Sequence, residues 1–261
     1  AKQMKRRAEA LRHLRATVDL AAVLGSRDIR GSALQRVEEI DSLEAQKMLL
    51  APYLPSGAVD ELATGGRDID LERDTRRCSI LFVDMRGFTS MSGKADLADL
   101  VETVDAFLCM AVRIITQHGG TVDKFIGDCV MAVFGQRTED AGARQAVAAA
   151  LDIVEYVDAT ALIRSQAGVG RIAVSVGVNT GEAVAGCFGP LLRRDYTVLG
   201  HHVNLAARLQ SLVSVVDSAQ NSRIVISGDT YEAARDLVAA ERIPEEKIAM
   251  KGIDSSSVAV Y

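Results

Sequence analysis

The sequence predicts an α/β (α+β) domain in which helices flank a mostly antiparallel sheet. Apolar stretches of strand length alternate with longer stretches of helical periodicity from residue 78 to residue 261. Glycines join several of the strands in pairs, which favours hairpins and antiparallel neighbours. Of the 261 residues 48% are hydrophobic, which is enough for one sizeable core and an appendage.

The order of the predicted elements is ferredoxin-like, with single helices between strands and strand pairs. The elements are strand 78–84, helix 88–93, helix 96–118, hairpin 121–134, helix 138–166, strand 171–179, a second strand 182–188 after Gly181, strand 195–198, helix 200–213, strand 223–227, helix 228–238 and a C-terminal hairpin.

Residues 1–50 differ from the domain that follows. A basic start leads into two apolar stripes at helical spacing, which Gly25 and Gly31 separate. We expect helices that pair with a second chain and regulate the domain, and the alternative is an amphipathic helix that packs on its own chain. Residues 51–77 contain prolines and a Gly-Gly pair and are predicted to form a linker or arm, which leaves 78–261 as the main domain.

Composition excludes several classes of function. The net charge of −5 argues against nucleic acid as a partner. The four cysteines show no metal-binding spacing and indicate reduced thiols in a cytoplasmic protein. No apolar run approaches the roughly 18 residues of a membrane helix. The basic start, and Ala1 where a methionine would begin a chain, leave room for an upstream sensor or membrane domain.

Two aspartates follow apolar strands and are the candidate metal ligands. Asp84 ends one strand, and Asp128 lies in the turn of the hairpin, four residues after Lys124. A lone aspartate at such a place is usually a turn or capping residue. Two that converge at strand ends favour Mg²⁺ or Mn²⁺, which prefer oxygen ligands. Because no His/Cys cluster is visible, zinc is not expected.

Two helix starts are candidates for phosphate or nucleotide binding. Gly87, Phe88 and Thr89 open a helix after Asp84, where backbone N–H groups would face phosphate oxygens unless this is an ordinary turn. Asn204 and Arg208 lie four residues apart and share one helix face, either as a surface pair or to orient a ribose and neutralise phosphate charge. His201 and His202 precede them and are expected to face solvent rather than act as bases.

Three motifs together resemble one family. ILFVDMRGFT (80–89), DKFIGD (123–128) and YTVLGHHVNLAARL (196–209), in this order, are similar to motifs of the class III adenylyl/guanylyl cyclase catalytic domain. The resemblance covers about residues 75–261, and LAPYLP (50–55) resembles part of the helical transducing element that precedes many such domains. The family works as a head-to-tail dimer with each active site at the interface.

The resemblance assigns a role to each candidate residue. It implies two Mg²⁺ or Mn²⁺ ions per site, held by Asp84, Asp128 and the Met85 carbonyl. Lys124 and Thr197 would bind the base, from the partner subunit. Asn204 would orient the ribose, Arg208 would stabilise the transition state, and Lys251, with one arginine of the Arg193-Arg194 pair, would contact phosphates.

The two residues that would bind the base, Lys124 and Thr197, favour ATP. Lys124 only donates hydrogen bonds and suits adenine N1, while the Thr197 hydroxyl can accept from adenine N6. Related guanylyl cyclases carry an acidic residue in place of Lys124. Many adenylyl cyclases have Asp where this chain has Thr197, and Thr is a variant of the bacterial branch. We therefore expect a homodimeric adenylate cyclase; the alternatives are a guanylate cyclase and a catalytically silent dimerisation or nucleotide-sensing module.

Overall fold

The computed structural model describes residues 17, 29, 32, 35, 73–88, 96–135, 141–166, 172–190, 195–216, 221–244, 248 and 260. The chain divides into two compact units, residues 1–67 and 68–261. In the first unit the four described residues are helical. The predicted N-terminal stripes, residues 89–93 of the helix predicted at 88–93 and most of the C-terminal hairpin lie outside the described residues.

In the described part of the second unit, helices and strands alternate as predicted. The elements are β1 (Asp74–Met85), α1 (Leu97–Gln117), β2 (Thr121–Ile126), β3 (Cys129–Phe134), α2 (Ala141–Gln166), β4 (Val174–Phe188), β5 (Asp195–Leu199), α3 (His201–Val216), β6 (Arg223–Ile226) and α4 (Gly228–Ala234).

The six strands form one sheet in the order β2-β3-β1-β4-β5, with β6 paired to β4. Four of the five strand pairs are antiparallel, and only β4 and β6 run parallel. The predicted α+β fold with a mostly antiparallel sheet is therefore confirmed.

The central strand β1 is buried on both faces. Leu81, Val83 and Met85 belong to one apolar cluster with α1 and α2. The alternate residues, Ile80 and Phe82, belong to a second cluster with residues of α3. Because successive side chains of a strand point to opposite faces, a continuous apolar run is what a strand between two helical layers requires. Both layers then hold β1 in a fixed position.

Several predicted boundaries are wrong. The helix predicted at 228–238 ends at Ala234, and the strand predicted from residue 171 begins at Val174. β1 begins at Asp74, four residues before the predicted start, since residues 74–77 extend the pairing with β4. The predicted break at Gly181 does not exist, because β4 runs unbroken through it and Gly181 pairs with Cys78. The ring of His202 lies where a side chain at residue 181 would stand, so this glycine makes room for α3.

The helix α3 approaches β4 very closely at Gly177. A Cβ atom at this residue would overlap the backbone of Ala206 and Gln210. Backbone atoms cannot move aside as a flexible side chain can, so only glycine permits this approach. The position of α3, and therefore of every side chain on it, is fixed against the middle of the sheet. None of the helices in the described part of the chain is long and apolar enough to cross a membrane.

Candidate active site

Antiparallel pairing of β1 with β3 brings the two predicted metal ligands together. Val83 pairs with Val130, so Asp84 at the end of β1 lies beside the turn that precedes β3. Gly127 and Asp128 form that turn, and Gly127 has a φ of 66°, a left-handed conformation that favours glycine. The sequence prediction that both aspartates reach one end of the sheet agrees with this geometry.

Burial disfavours the charged form of both carboxylates, and the charge of Asp128 adds to this effect at Asp84. Burial raises the pKa of Asp84 to about 6, and the negative charge of Asp128 adds to the rise. Burial also raises the pKa of Asp128, although its own N–H and that of Met85 donate to the carboxylate and oppose the rise. Paired, partly buried carboxylates of this kind favour a bound cation, which would remove both the repulsion and the cost of burial.

The donor set fits a hard divalent cation. Within the described residues no group of three or more His, Cys, Asp or Glu side chains is placed to hold a metal ion. A cation here would therefore rely on Asp84 and Asp128 together with backbone, water or substrate oxygens. Mg²⁺ is typically bound in proteins by one or two carboxylates, with water and substrate phosphate as its other ligands.

Two residues next to the aspartates were not singled out from the sequence. Gln210 of α3 donates from Nε2 to Asp84 Oδ2 at 3.4 Å. Burial, with a further contribution from the charges of the two nearby aspartates, raises the pKa of the Cys129 thiol to about 12. Gln210 therefore orients one carboxylate, while Cys129 stays a neutral thiol. Gln210 could not be found from the sequence, because α3 meets β1 only in the folded chain, whereas Cys129 directly follows Asp128 and its position beside that residue was visible.

The predicted phosphate-binding turn follows β1 directly. Gly87 is exposed with a φ of 77°, and Phe88 begins a helix and packs against the larger apolar cluster. Thr89 lies outside the described residues, as do Lys251, Arg193 and Arg194. In the described part of the turn, Gly87 is therefore the residue exposed where the predicted anion site would lie.

The predicted base-binding residues meet through an unpredicted third residue. Thr197 Oγ1 donates to Asp123 Oδ2 at 2.7 Å, and Lys124 Nζ lies 3.4 Å from the same oxygen. Thr197 is 4% exposed and the Asp123 side chain 5%, whereas Lys124 is 38% exposed. One buried carboxylate thus holds both members of the predicted pair.

A bulge in β2 and a curled sheet make this contact. The pairing of β2 with β3 shifts register between Val122 and Lys124, so Asp123 is the extra, unpaired residue. Three strands separate β2 from β5 in the sheet order, yet Val198 of β5 shares an apolar cluster with Met131 of β3. We infer that β5 curls over this face of the sheet. A bulge has no reliable sequence signature, which is why Asp123 escaped prediction.

The helix α3 carries the last predicted pair. Asn204 is exposed and Arg208 is half-buried, one turn further along the same face. Of the two histidines before them, His201 is exposed as predicted. The prediction for His202 is wrong, since it is half-buried and Asn179 Nδ2 donates to its backbone oxygen at 2.8 Å. His202 therefore anchors the start of α3 on β4.

Comparison with known proteins identifies the family. The sequence model described as "Adenylate and Guanylate cyclase catalytic domain" matches residues 72–261. The chain belongs to this family. An adenylate cyclase of Anabaena cylindrica is 30% identical over 215 residues, which is 80% of this chain and 41% of that protein. The chain thus spans less than half the length of this relative.

Solved cyclase structures share the fold. The adenylyl cyclase CyaB from P. aeruginosa is 31% identical, with a TM-score of 0.65, and the match covers 73% of this chain and 95% of that one. The guanylyl cyclase Cya2 is also 31% identical, with a TM-score of 0.61 over 72% of this chain and 91% of that one. Equal identity to an adenylyl and a guanylyl cyclase means that overall similarity does not assign the base.

Removing the Asp84 charge should stabilise the metal-free protein at neutral pH. The folded-state pKa of about 6 exceeds the usual 3.8, so the unfolded state loses this proton first and wild-type stability falls as pH rises from about 4 to 6. At pH 7.5, with a chelator present, we expect Asp84→Asn to have a higher melting temperature than wild type. The difference in melting temperature should vanish near pH 4.

Thermal unfolding with and without Mn²⁺ checks this prediction. Mn²⁺ should raise the melting temperature of wild type but not of Asp84→Asn. Asp105→Asn, which changes an exposed carboxylate on α1, is the matched control and should respond to Mn²⁺ like wild type. A metal-free Asp84→Asn protein that is less stable than wild type at pH 7.5 would contradict the proposed charge repulsion.

Proposed function

We propose that this domain is an adenylate cyclase that converts ATP to 3′,5′-cyclic AMP and pyrophosphate. The observation that carries the proposal is the convergence of Lys124 and Thr197 on one buried carboxylate, Asp123. An ammonium group can donate to adenine N1 but meets a donor at guanine N1. The pair lies in a domain whose relatives include adenylate cyclases.

The reaction is an intramolecular displacement. The ribose 3′-oxygen forms a bond to the α-phosphorus and loses its proton, and the bond from the α-phosphorus to the bridging oxygen of pyrophosphate breaks. Asp84, Asp128 and the Met85 carbonyl would hold two Mg²⁺ or Mn²⁺ ions. These ions would supply charge neutralisation and a lowered pKa for the 3′-hydroxyl.

The remaining steps belong to this chain's own side chains. Asn204 orients the ribose so that the 3′-hydroxyl faces the α-phosphorus. Arg208 donates to the α-phosphoryl oxygens, where negative charge grows in the transition state. A preorganised donor of this kind is worth on the order of 3 kcal/mol. Backbone N–H groups of Gly87, Phe88 and Thr89, with Lys251, would hold the polyphosphate.

We further propose that the site is completed by a second copy of the chain, in a head-to-tail homodimer. Two apolar side chains at the tip of the β2–β3 hairpin support this, since Phe125 and Ile126 are 50% and 54% exposed next to Lys124. Leu199, at the end of β5, is also exposed. A partner that covers this patch would bring the base-binding residues of one subunit to the aspartates of the other.

Turnover of ATP and GTP by the full chain tests the substrate. We expect cyclic AMP and pyrophosphate from Mn²⁺·ATP, and a kcat/KM for GTP that is at least about a hundredfold lower, since buried polar groups of the site would be left unpaired. Lys124→Glu should lower kcat/KM for ATP by about a hundredfold or more. Arg235→Glu, a charge reversal at an exposed residue, is the control and should leave turnover unchanged.

Three results would count against this assignment. A preference for GTP would indicate a guanylate cyclase. Absence of pyrophosphate release from either nucleotide would indicate a silent dimerisation or nucleotide-sensing module. Full ATP turnover by Lys124→Glu would contradict the role of Lys124.

Mixing two inactive variants tests the shared site. Asp128→Ala removes a metal ligand, and Lys124→Ala removes the base contact, so each homodimer should be inactive. In a mixed dimer one site carries both lesions and the other carries neither, so activity should return at about one active site per heterodimer. Wild type should lose specific activity on dilution below its dissociation constant. No recovery in the mixture would overturn the head-to-tail arrangement.

We also propose that residues 1–50 regulate the domain by pairing in parallel across the dimer. The two apolar stripes of the sequence support this hypothesis. Deletion of residues 1–50 should change either specific activity or the dimer dissociation constant, measured by sedimentation. If both values stay the same, the segment has no regulatory role of this kind.

A further inference from the structure

The buried carboxylate of Asp123 contacts both of the proposed base-binding residues. Its Oδ2 accepts the Thr197 hydroxyl at 2.7 Å and lies 3.4 Å from Lys124 Nζ. Burial raises the pKa of Asp123, and the Thr197 hydrogen bond and the Lys124 ammonium oppose that rise, while the Asp195 charge adds to it. The Asp123 side chain is thus a buried acid whose charge is stabilised by the two residues that it contacts.

This contact fixes the direction of the Thr197 hydroxyl. A hydroxyl has one proton to donate and two lone pairs to accept with, and it normally rotates to suit its surroundings. A carboxylate can only accept. Because the Thr197 proton points to Asp123, the oxygen has only lone pairs left to present to a base.

The fixed direction distinguishes the two purines. Adenine offers an N6 amino donor where guanine offers an O6 acceptor. Lone pairs on Thr197 match the adenine donor and repel the guanine oxygen. A freely rotating threonine would suit either base, so Thr197 alone does not discriminate. The discrimination depends on the residue that holds its proton.

We propose that Asp123 is a specificity-determining positioning residue, which makes Thr197 an obligate hydrogen-bond acceptor and so selects adenine over guanine. The inference rests on the proposed adenylate cyclase function, and it adds a residue that acts on the base through Thr197. The β2 bulge is what makes it possible. Regular pairing would place Asp123 in the β2–β3 ladder, whereas the bulge leaves it unpaired and directs its side chain to β5.

The test substitution is Asp123→Asn, which keeps the size of the side chain and replaces one oxygen with a donor. The amide can donate to Thr197 Oγ1, which frees the hydroxyl proton to point at guanine O6. We expect the ratio of kcat/KM for ATP over GTP to fall by about tenfold or more, in part through a higher kcat/KM for GTP. A residue that only held the fold together would lower both values in proportion.

A double-mutant cycle separates this route from any effect on Lys124. Thr197→Val removes the hydroxyl and should reduce the ATP preference by itself. In that background Asp123→Asn should cause no further change in the ratio, because the group that it acts on is gone. Thr197→Ser keeps the hydroxyl and should keep the preference. If Asp123→Asn lowers the ratio equally with and without the Thr197 hydroxyl, the proposed route is wrong.

Binding of 3′-deoxy-ATP and 3′-deoxy-GTP with Mn²⁺, measured by calorimetry on the full chain, separates this inference from the proposed activity. These analogues lack the attacking hydroxyl, so their dissociation constants can be measured without turnover. Wild type should bind the adenine analogue more tightly, and Asp123→Asn should narrow the difference by about tenfold. If wild type shows that preference but turns over neither nucleotide, the proposed activity fails and the inference stands.

The other outcomes overturn the inference. If wild type forms cyclic AMP selectively and a folded Asp123→Asn protein keeps the same selectivity, the inference is wrong although the proposed activity stands. Wild type that binds neither analogue, or prefers the guanine analogue, refutes both. Should Asp123→Asn fail to fold, Thr197→Val and Thr197→Ser decide the matter, since equal base preference in the two means that the hydroxyl does not select the base.

Discussion

The antiparallel pairing of β1 with β3 is the interaction on which the candidate site depends. It places Asp84 next to the turn that holds Asp128, and burial together with the charge of Asp128 raises the pKa of Asp84 to about 6. Such an arrangement opposes folding unless the surrounding structure compensates. Apolar clusters on both faces of β1 provide that compensation. The scaffold therefore keeps two carboxylates in a position that they would not adopt by themselves.

The helix α3 is fixed as firmly as the strands. Its backbone lies against Gly177, and His202 packs over Gly181. The distance between this helix and the sheet is consequently fixed. The helix carries Asn204, Arg208 and Gln210. Catalytic groups placed on a rigid element keep their geometry better than groups on loops. This explains why small residues recur along the face of β4 that meets α3, where β-branched residues would otherwise be expected in a strand.

The sequence was informative where local pattern determines structure. The apolar run before Asp84 and the hairpin around Asp128 predicted that both would lie at strand ends, and the alternation of elements predicted the fold class. Glycine was misleading at Gly181, because a glycine that admits a helix and a glycine that ends a strand look identical in one sequence. Asp123 and Gln210 were missed, since their roles arise from contacts between distant parts of the chain. The base-binding roles of Lys124 and Thr197, by contrast, came from family resemblance.

The hairpin turn has a consequence for how such domains change over time. Only Gly127 and Asp128 separate β2 from β3, so the offset from Lys124 to Asp128 is set by a tight turn and not by a variable loop. An insertion or deletion in the turn would shift one residue relative to the other and reverse the faces of a strand. Lys124 and Asp128, the residues proposed to contact the nucleobase and the metal, are therefore inherited as one block. A recombination event that exchanges this hairpin would transfer both together, whereas a substitution at Asp123 or Lys124 would change only the proposed base contact and leave the carboxylate pair intact.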